Sequence, residues 1–309
     1  MSNISKKICI IGPNRDHDRW NIPLSFFNEF KRLGHEVKIF NNLNDDQPGI
    51  NQFDPKAWTE AGLHQMLQDA NNGVFEPDII IHFDFGLFRS PLLNKNNFPS
   101  AIWVYESGDD PQCFDYNFDK VQSGNYDYVL SPDIKSVFKY NQKGYNAIWS
   151  PHFADTLFLG DEIEPTVPCI TSRHYSEPFF IELKNKLGDK FEARDEFIPE
   201  DKHLQFLKTG KIIIQNSKYK EITRRIFEGM LCNRLVITDR ISEDTGIDKI
   251  FKEGEDIVYF DNIDDCSEKI NYYLENEKER LRISNNGYNK IKSNHTVSKR
   301  VENLLKLIN

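Results

Sequence analysis

The chain has 309 residues, 39% of them hydrophobic and 28% charged, and a net charge of −9 at pH 7. That is enough apolar material for one large or two ordinary packed domains, and two is the better fit to the length. The acidic balance argues against a general nucleic-acid binder, which needs clustered Lys and Arg on phosphates, and no apolar run of about 18 residues or more is present to cross a membrane.

In chain order, the N-terminal MSNISKKICIIG places two lysines before a short apolar run that leads into Pro13-Asn14-Arg15-Asp16. It reads as a first buried strand over 7–12, not as a signal peptide. LSFFNEFKRLG (24–34) has amphipathic helical spacing with Gly34 as its stop, and HEVKIF (35–40) is the next strand. Asn41 to Asp54 reads as an irregular polar loop and 56–72 as a helix. PDIIIHF (77–83), SAIWVYE (100–106) and YDYVLS (126–131) are strands, a helix follows over 133–143, and AIWSP (147–151) closes the set. Strands separated by helices predict a parallel sheet covered on both faces.

Residues 154–168, ADTLFLGDEIEPTVP, are acidic with two prolines and form the linker candidate. The pattern then restarts with strand VPCITS, helix FFIELKNKLG, strand KIIIQNS (211–217), a helix inside RRIFEGMLCNRLVITDR (224–240), and strands RLVITD and DIVYF. Helices run to the end, with an interruption near Asn285-Asn286-Gly287. Two α/β halves in tandem are predicted, over 1–155 and 156–309, with the last helix free to pack back on the first half. Ligands of open parallel sheets bind at the C-terminal strand ends, so two facing halves would enclose a cleft.

The five cysteines, Cys9, Cys113, Cys169, Cys232 and Cys266, are far apart and lack CxxC spacing. They read as small buried hydrophobes in a reducing, cytoplasmic compartment, and no Cys/His pair has zinc-ligand spacing. GPNRDHDRW after the first strand is not GxGxxG, so a dinucleotide site has no motif here; the segment is a candidate acceptor-side loop.

The segment 221–232 carries the most chemistry. At about 100° per residue, Ile222, Ile226, Phe227, Met230 and Leu231 cover one side, while Glu221, Arg224, Arg225 and Glu228 share an arc on the other. Spacing leaves two readings open. Arg224 with Glu228, and Glu221 with Arg225, can be exposed salt bridges on an ordinary surface helix. Alternatively the cluster holds a ligand. The helix follows strand KIIIQNS, so its N-terminus lies at the C-terminal edge of a sheet, where the helix dipole favours an anion. First-turn arginines oppose that dipole, and a phosphate would balance them. Glu228, one turn deeper, can accept hydrogen bonds from sugar hydroxyls. Asn233 can take the left-handed position that ends the helix.

RRIFEGMLCNRLVITD resembles the R-x-F-E-A-M-A-C-G-x-(apolar)-T-D block of GT-B glycosyltransferases, in particular the spore-maturation-type glycosyltransferase-like group. IFKEGEDIVYFDNIDDCSEKINYYLENEKERLRISNNGYNKI is similar to the stretch after that block, and IWVYESGDDP and YDYVLSPDIKSVFKYNQKGYNAIWSPHFADTLF are similar to segments before it. The resemblance covers about 100–309, with 1–99 matching only in general pattern. It implies a GT-B fold of two Rossmann-like parallel-sheet domains facing a cleft, the acceptor side first and the nucleotide-sugar side second. The implied activity is that of a hexosyl- or related transferase, retaining and metal-independent, with a nucleotide-diphospho-sugar such as a UDP-sugar as donor and no cofactor. Carried over residue by residue, Glu228 binds the donor ribose, Arg225 is the block's arginine, and Arg173 stands where relatives place a diphosphate-binding arginine. Lys218 and Arg224 are further diphosphate candidates, and Asn216 and Ser217 match a strand end that faces the donor. Two positions depart from the pattern: Lys220 stands where a second glutamate is common, and Asn233 replaces Gly.

Glu106, Asp109 and Asp110 in ESGDDP end a strand of the first half and are candidates for a base or for acceptor contacts; a solvated turn before Pro111 is the alternative. The adjacent Asp pair lacks the Asp-x-Asp spacing of a metal-dependent transferase, so no metal is expected. His82 and His152 read as structural histidines. The acceptor could be a glycan, a protein, a small molecule or a nucleic-acid base. Two rival functions remain: a nucleic-acid-base glycosyltransferase of the same fold, and a non-catalytic sugar-nucleotide binding protein.

Overall fold

The structure, a computed structural model, describes residues 5–12, 22–40, 68–69, 72–84, 95–172, 177–193 and 200–308. The expected loop over 41–54, nearly all of the expected helix over 56–72, most of GPNRDHDRW and Arg173 lie outside the described residues. The chain divides into two compact units, Met1–Pro151 with Val301–Asn309, and His152–Arg300.

In the first unit, strands β1 (Lys7–Ile11), β2 (Glu36–Phe40), β3 (Ile79–Asp84), β4 (Ile102–Ser107), β5 (Tyr128–Ser131) and β6 (Ala147–Trp149) form one sheet in the order β2-β1-β3-β4-β5-β6. Every pairing is parallel, with Ile8 opposite Ile79 and Ile79 opposite Ile102. Parallel strands buried on both faces need near-continuous apolar runs, and KICII and IIIHF are such runs. Helices α1 (Ile22–Arg32), α2 (Phe114–Gly124) and α3 (Ile134–Gln142) belong to this unit. Asp133 caps α3 by accepting the Ser136 N–H at 2.6 Å. The core gathers Trp103, Tyr105, Phe114, Tyr126 and Tyr140. His82 is buried among them, 2.6 Å from the Tyr126 hydroxyl through Nδ1. Burial pushes its pKa down to about 3, so it is a neutral, satisfied core histidine.

The second unit repeats the plan. Strands β7 (Val167–Thr171), β8 (Phe191–Ala193), β9 (Gly210–Gln215), β10 (Leu235–Asp239) and β11 (Val258–Phe260) pair in parallel in the order β11-β10-β9-β7-β8. The strand order reverses between β7 and β9, and that switch point is where open α/β sheets leave a crevice. Helices α4 (Pro178–Leu187), α5 (Glu200–Lys208), α6 (Arg224–Leu231), α7 (Ile247–Ile250), α8 (Ile263–Glu275) and α9 (Glu277–Asn294) follow in turn. Helix α10 (Val297–Ile308) ends the chain, its residues from Val301 on grouping with the first unit.

Two expectations are corrected here. Helix α9 runs unbroken through Asn285-Asn286-Gly287, and the interruption falls instead at Asn276, between α8 and α9. Gly287 is there for close packing: a Cβ on it would lie 2.9 Å from the Asp256 carbonyl oxygen and 3.3 Å from Met230 Cγ. The acidic linker is also not loose throughout. The fully buried Lys208 donates from Nζ to the carbonyls of Gly160 (3.2 Å) and Asp161 (2.7 Å), and Arg234 Nη2 donates to Ile163 O at 2.6 Å. These bonds strap 160–163 to the end of α5 and the start of β10.

Gly287→Ala sets helix propensity, a gain of about 1 kcal/mol, against overpacking of about 1–3 kcal/mol. A backbone carbonyl cannot swing away as a side chain can, so overpacking is expected to win and lower the unfolding free energy by up to about 2 kcal/mol. Urea titration checks this, and a stabilised variant would contradict the close contact.

Candidate functional site

The site grows from the β9–α6 junction of the second unit. Gly229 lets α6 lie down on the sheet, since a Cβ there would meet Val236 Cγ2 at 2.9 Å and Ile213 Cδ1 at 3.1 Å. In a β-loop-α unit the helix runs back along its strand, so the first turn of α6 stands at the C-terminal end of β9, beside the β7/β9 switch point.

The loop between them is held by the buried carboxylate of Asp239 at the end of β10. Its Oδ1 accepts the Ser217 N–H at 2.7 Å and its Oδ2 accepts from Lys220 Nζ at 2.7 Å. Ser217 Oγ in turn accepts the Glu221 N–H at 2.8 Å. Lys220 takes a left-handed backbone with φ 54. Ser217 is therefore buried in the loop's own framework, while Asn216 is half-buried and Lys218 is exposed, its ammonium 5.2 Å from the Tyr219 ring.

Helix α6 begins at Arg224, not at residue 221, so Glu221 belongs to the preceding loop. Asn233 does take the left-handed conformation, φ 55. The larger correction concerns the polar arc. Arg224 and Glu228 are each only 5% exposed, and the exposed-salt-bridge reading fails for them. Glu228 Oε1 lies 3.0 Å from Arg224 Nε, and Oε2 lies 3.0 Å from Nε2 of His203 on α5, itself 6% exposed. Burial alone would raise the Glu228 pKa. The charges of Arg224, His203 and Arg225, with the His203 hydrogen bond, outweigh it and hold the carboxylate well below its usual range.

Arg225, half-buried, adds its charge to the same group. The Arg224 guanidinium also stands over the Phe153 ring at 5.7 Å, and His152 meets Phe227 edge-on at 6.4 Å. Burial, then Arg224 and Arg300, push His152 down to about 4, so it is neutral at physiological pH. Glu228, Arg224, Arg225, Asn216, Ser217 and Lys218 thus share one junction. His203 was missed by sequence reasoning: it lies 25 residues upstream of Glu228, and its one signal was its place beside the apolar Leu204, Phe206 and Leu207 in EDKHLQFLK.

In the first unit the three acidic candidates separate. Asp110 is buried, with Oδ1 accepting from Asn117 Nδ2 at 2.8 Å and Oδ2 from Ser131 Oγ at 2.8 Å. Asn117 also donates to Ser107 Oγ at 2.9 Å and accepts from the Tyr105 hydroxyl at 2.9 Å. Asp110 therefore ties the ends of β4 and β5 to α2, which corrects the expectation of a carboxylate turned toward a ligand. Asp109 is only partly buried, and burial, then the neighbouring Asp110, raise its pKa to about 6. Glu106 is partly exposed on β4. Among the described residues no three His, Cys, Asp or Glu side chains group to hold a metal ion, and no helix is long and apolar enough to cross a membrane.

Glu228→Ala leaves the Arg224 guanidinium buried without its carboxylate and is expected to cost about 3–5 kcal/mol of unfolding free energy. Lys220→Ala removes an ion pair whose lysine is 62% exposed, and is expected to cost less than about 1 kcal/mol. Chemical denaturation of both variants checks the contrast, and equal costs would contradict it.

Residues 179–306 match a family model described as glycosyl transferase-like. Sucrose-phosphate synthase from Thermosynechococcus elongatus is similar in structure, with TM-score 0.68 and 12% identity over 98% of this chain and 98% of that one. Anabaena Alr3699/HepE in complex with UDP-glucose is similar with TM-score 0.64 and 12% identity, over 98% of this chain and 99% of that one. A curated relative, the phosphopantetheine adenylyltransferase of Coxiella burnetii, is 33% identical over 61 residues, 20% of this chain and only 36% of that enzyme's length. The two parallel α/β units thus have the GT-B fold, and residues 179–306, most of the second unit, match the glycosyl transferase-like family.

Proposed function

We propose that the chain transfers a hexosyl or related group from a UDP-sugar to an acceptor hydroxyl, with retention and without a metal or other cofactor. The observation that carries this reading is the buried, ionised Glu228 at the C-terminal end of the second sheet, next to Arg225 and the first turn of α6. A carboxylate held charged in a buried setting is a strong acceptor for the paired hydroxyls of a ribose. The α6 N-terminus, Arg225 and the exposed Lys218 supply positive charge for a diphosphate without a divalent ion. Arg173, two residues after β7 in the sequence, is proposed as a further diphosphate contact. A uridine nucleotide is favoured because the structurally similar Anabaena protein is in complex with UDP-glucose. The cytoplasm, where nucleotide sugars are plentiful, is the proposed location.

In the transfer, the bond between the sugar's anomeric carbon and the β-phosphate oxygen breaks, and the acceptor oxygen bonds to that carbon. The acceptor's proton leaves with the departing diphosphate, whose charge the cations and the helix dipole stabilise. In the first unit, Asp109 is proposed to orient the acceptor hydroxyl, with Glu106 nearby and Asp110 fixing the loop that carries Asp109.

Titration calorimetry and a turnover assay over UDP-, GDP- and TDP-sugars test the donor. Wild type is expected to bind a UDP-sugar, and Arg225→Ala and Lys218→Ala to weaken it roughly tenfold each, in the range of a lost charged hydrogen bond. Binding without turnover on any acceptor would favour a non-catalytic protein, and no binding at all would sink the reading.

Asp109 titrates near pH 6. Its ionised form is the one that accepts a hydroxyl hydrogen bond, so acceptor use should fall as pH drops through about 6. Asp109→Asn should abolish that acid limb. An unchanged pH profile in the variant would exclude Asp109 from the acceptor side.

A further inference from the structure

We propose that His203 is a positioning residue for the donor: it fixes the Glu228 carboxylate so that one lone pair on each oxygen stays available to the ribose hydroxyls. This rests on the reading that Glu228 takes the ribose.

The geometry behind it is a divided grip. Arg224 Nε forms an ion pair with Oε1 at 3.0 Å, and His203 Nε2 contacts Oε2 at 3.0 Å. A carboxylate oxygen has two acceptor positions, so the His203 bond to Oε2 leaves one on that oxygen, and the ion pair at Oε1 does not by itself fill both there. An arginine left alone with a carboxylate tends to take both oxygens in a two-pronged pair. That arrangement would turn both oxygens toward the guanidinium and away from a ligand. His203, donating to Oε2 from a different helix, opposes this rotation.

The second nitrogen of the ring does not compete for a partner. Nδ1 is buried and has no hydrogen-bond partner among the described residues. His203 thus has one directed contact, from Nε2 to Glu228. The packing of α5 on α6 delivers the ring to this point, and the Lys208 and Arg234 straps anchor the far end of α5.

The test separates this role from a purely structural one by changing the ligand. The full chain is titrated with UDP and with 2′,3′-dideoxy-UDP, which lacks both ribose hydroxyls. Wild type is expected to bind UDP roughly 10- to 100-fold more tightly than the dideoxy compound. His203→Leu should collapse that ratio to near one while leaving dideoxy-UDP affinity in place. His203→Gln, whose amide can donate from about the position of Nε2, should restore it. A His203→Leu protein that keeps the wild-type ratio overturns the proposal while the ribose role of Glu228 stands. A wild type that does not discriminate shows instead that the ribose reading is what fails. Thermal melting reports folding of each variant. If the leucine variant does not fold, His203→Asn, whose amide stops short of Oε2, takes its place with the same expected loss.

Discussion

Glu228 has 5% of its surface exposed, yet it carries a negative charge. A buried carboxylate can do so only where fixed cations and donors stand in for water. Arg224 supplies the cation from one turn earlier on the same helix, and His203 supplies a donor from the helix before. Much of the second unit serves that arrangement. Gly229 lets α6 rest on β9 and β10, Asn233 turns the chain from α6 into β10, and Asp239 at the end of β10 holds the loop that leads into α6. The result is a junction where a helix N-terminus, two arginines and an ionised carboxylate meet at the point where strand order reverses.

The first unit uses buried polar groups differently. Its network of Tyr105, Asn117, Ser107, Asp110 and Ser131 is closed on itself, and both oxygens of Asp110 have donors from side chains. Such a network specifies how β4, β5 and α2 meet and offers little to a ligand. Asp109, one residue earlier, is raised toward neutrality by burial and by that same Asp110. Two adjacent carboxylates thus acquire different tasks from their surroundings, one as a structural tie and one as a group that titrates in the physiological range.

Much of the fold was legible in the sequence because parallel strands leave a continuous apolar signature: KICII, IIIHFD and GKIIIQ all became strands within a residue or two of their expected bounds. The junction site was legible as a cluster but not in its environment. Spacing of four residues between Arg224 and Glu228 is the same for an exposed pair and a buried one. Only the tertiary neighbours, His203 from α5 and Phe153 from the segment before β7, decide between them. Gly287 misled for a related reason: a glycine within a polar run signals a turn, but here it marks the close passage of α9 over Asp256 and Met230. Acidic, proline-bearing composition suggested a free linker over 154–168, while the lysine and arginine that strap part of it lie far along the chain.

The most direct measurement of the central claim is a crystal structure of the full chain with UDP bound. The account predicts the ribose hydroxyls within hydrogen-bond distance of both Glu228 oxygens, with the diphosphate at the first turn of α6 near Arg225 and the Arg224 and His203 contacts to Glu228 kept. UDP bound away from the β9–α6 junction, or a Glu228 carboxylate still buried and untouched beside the bound nucleotide, would contradict it.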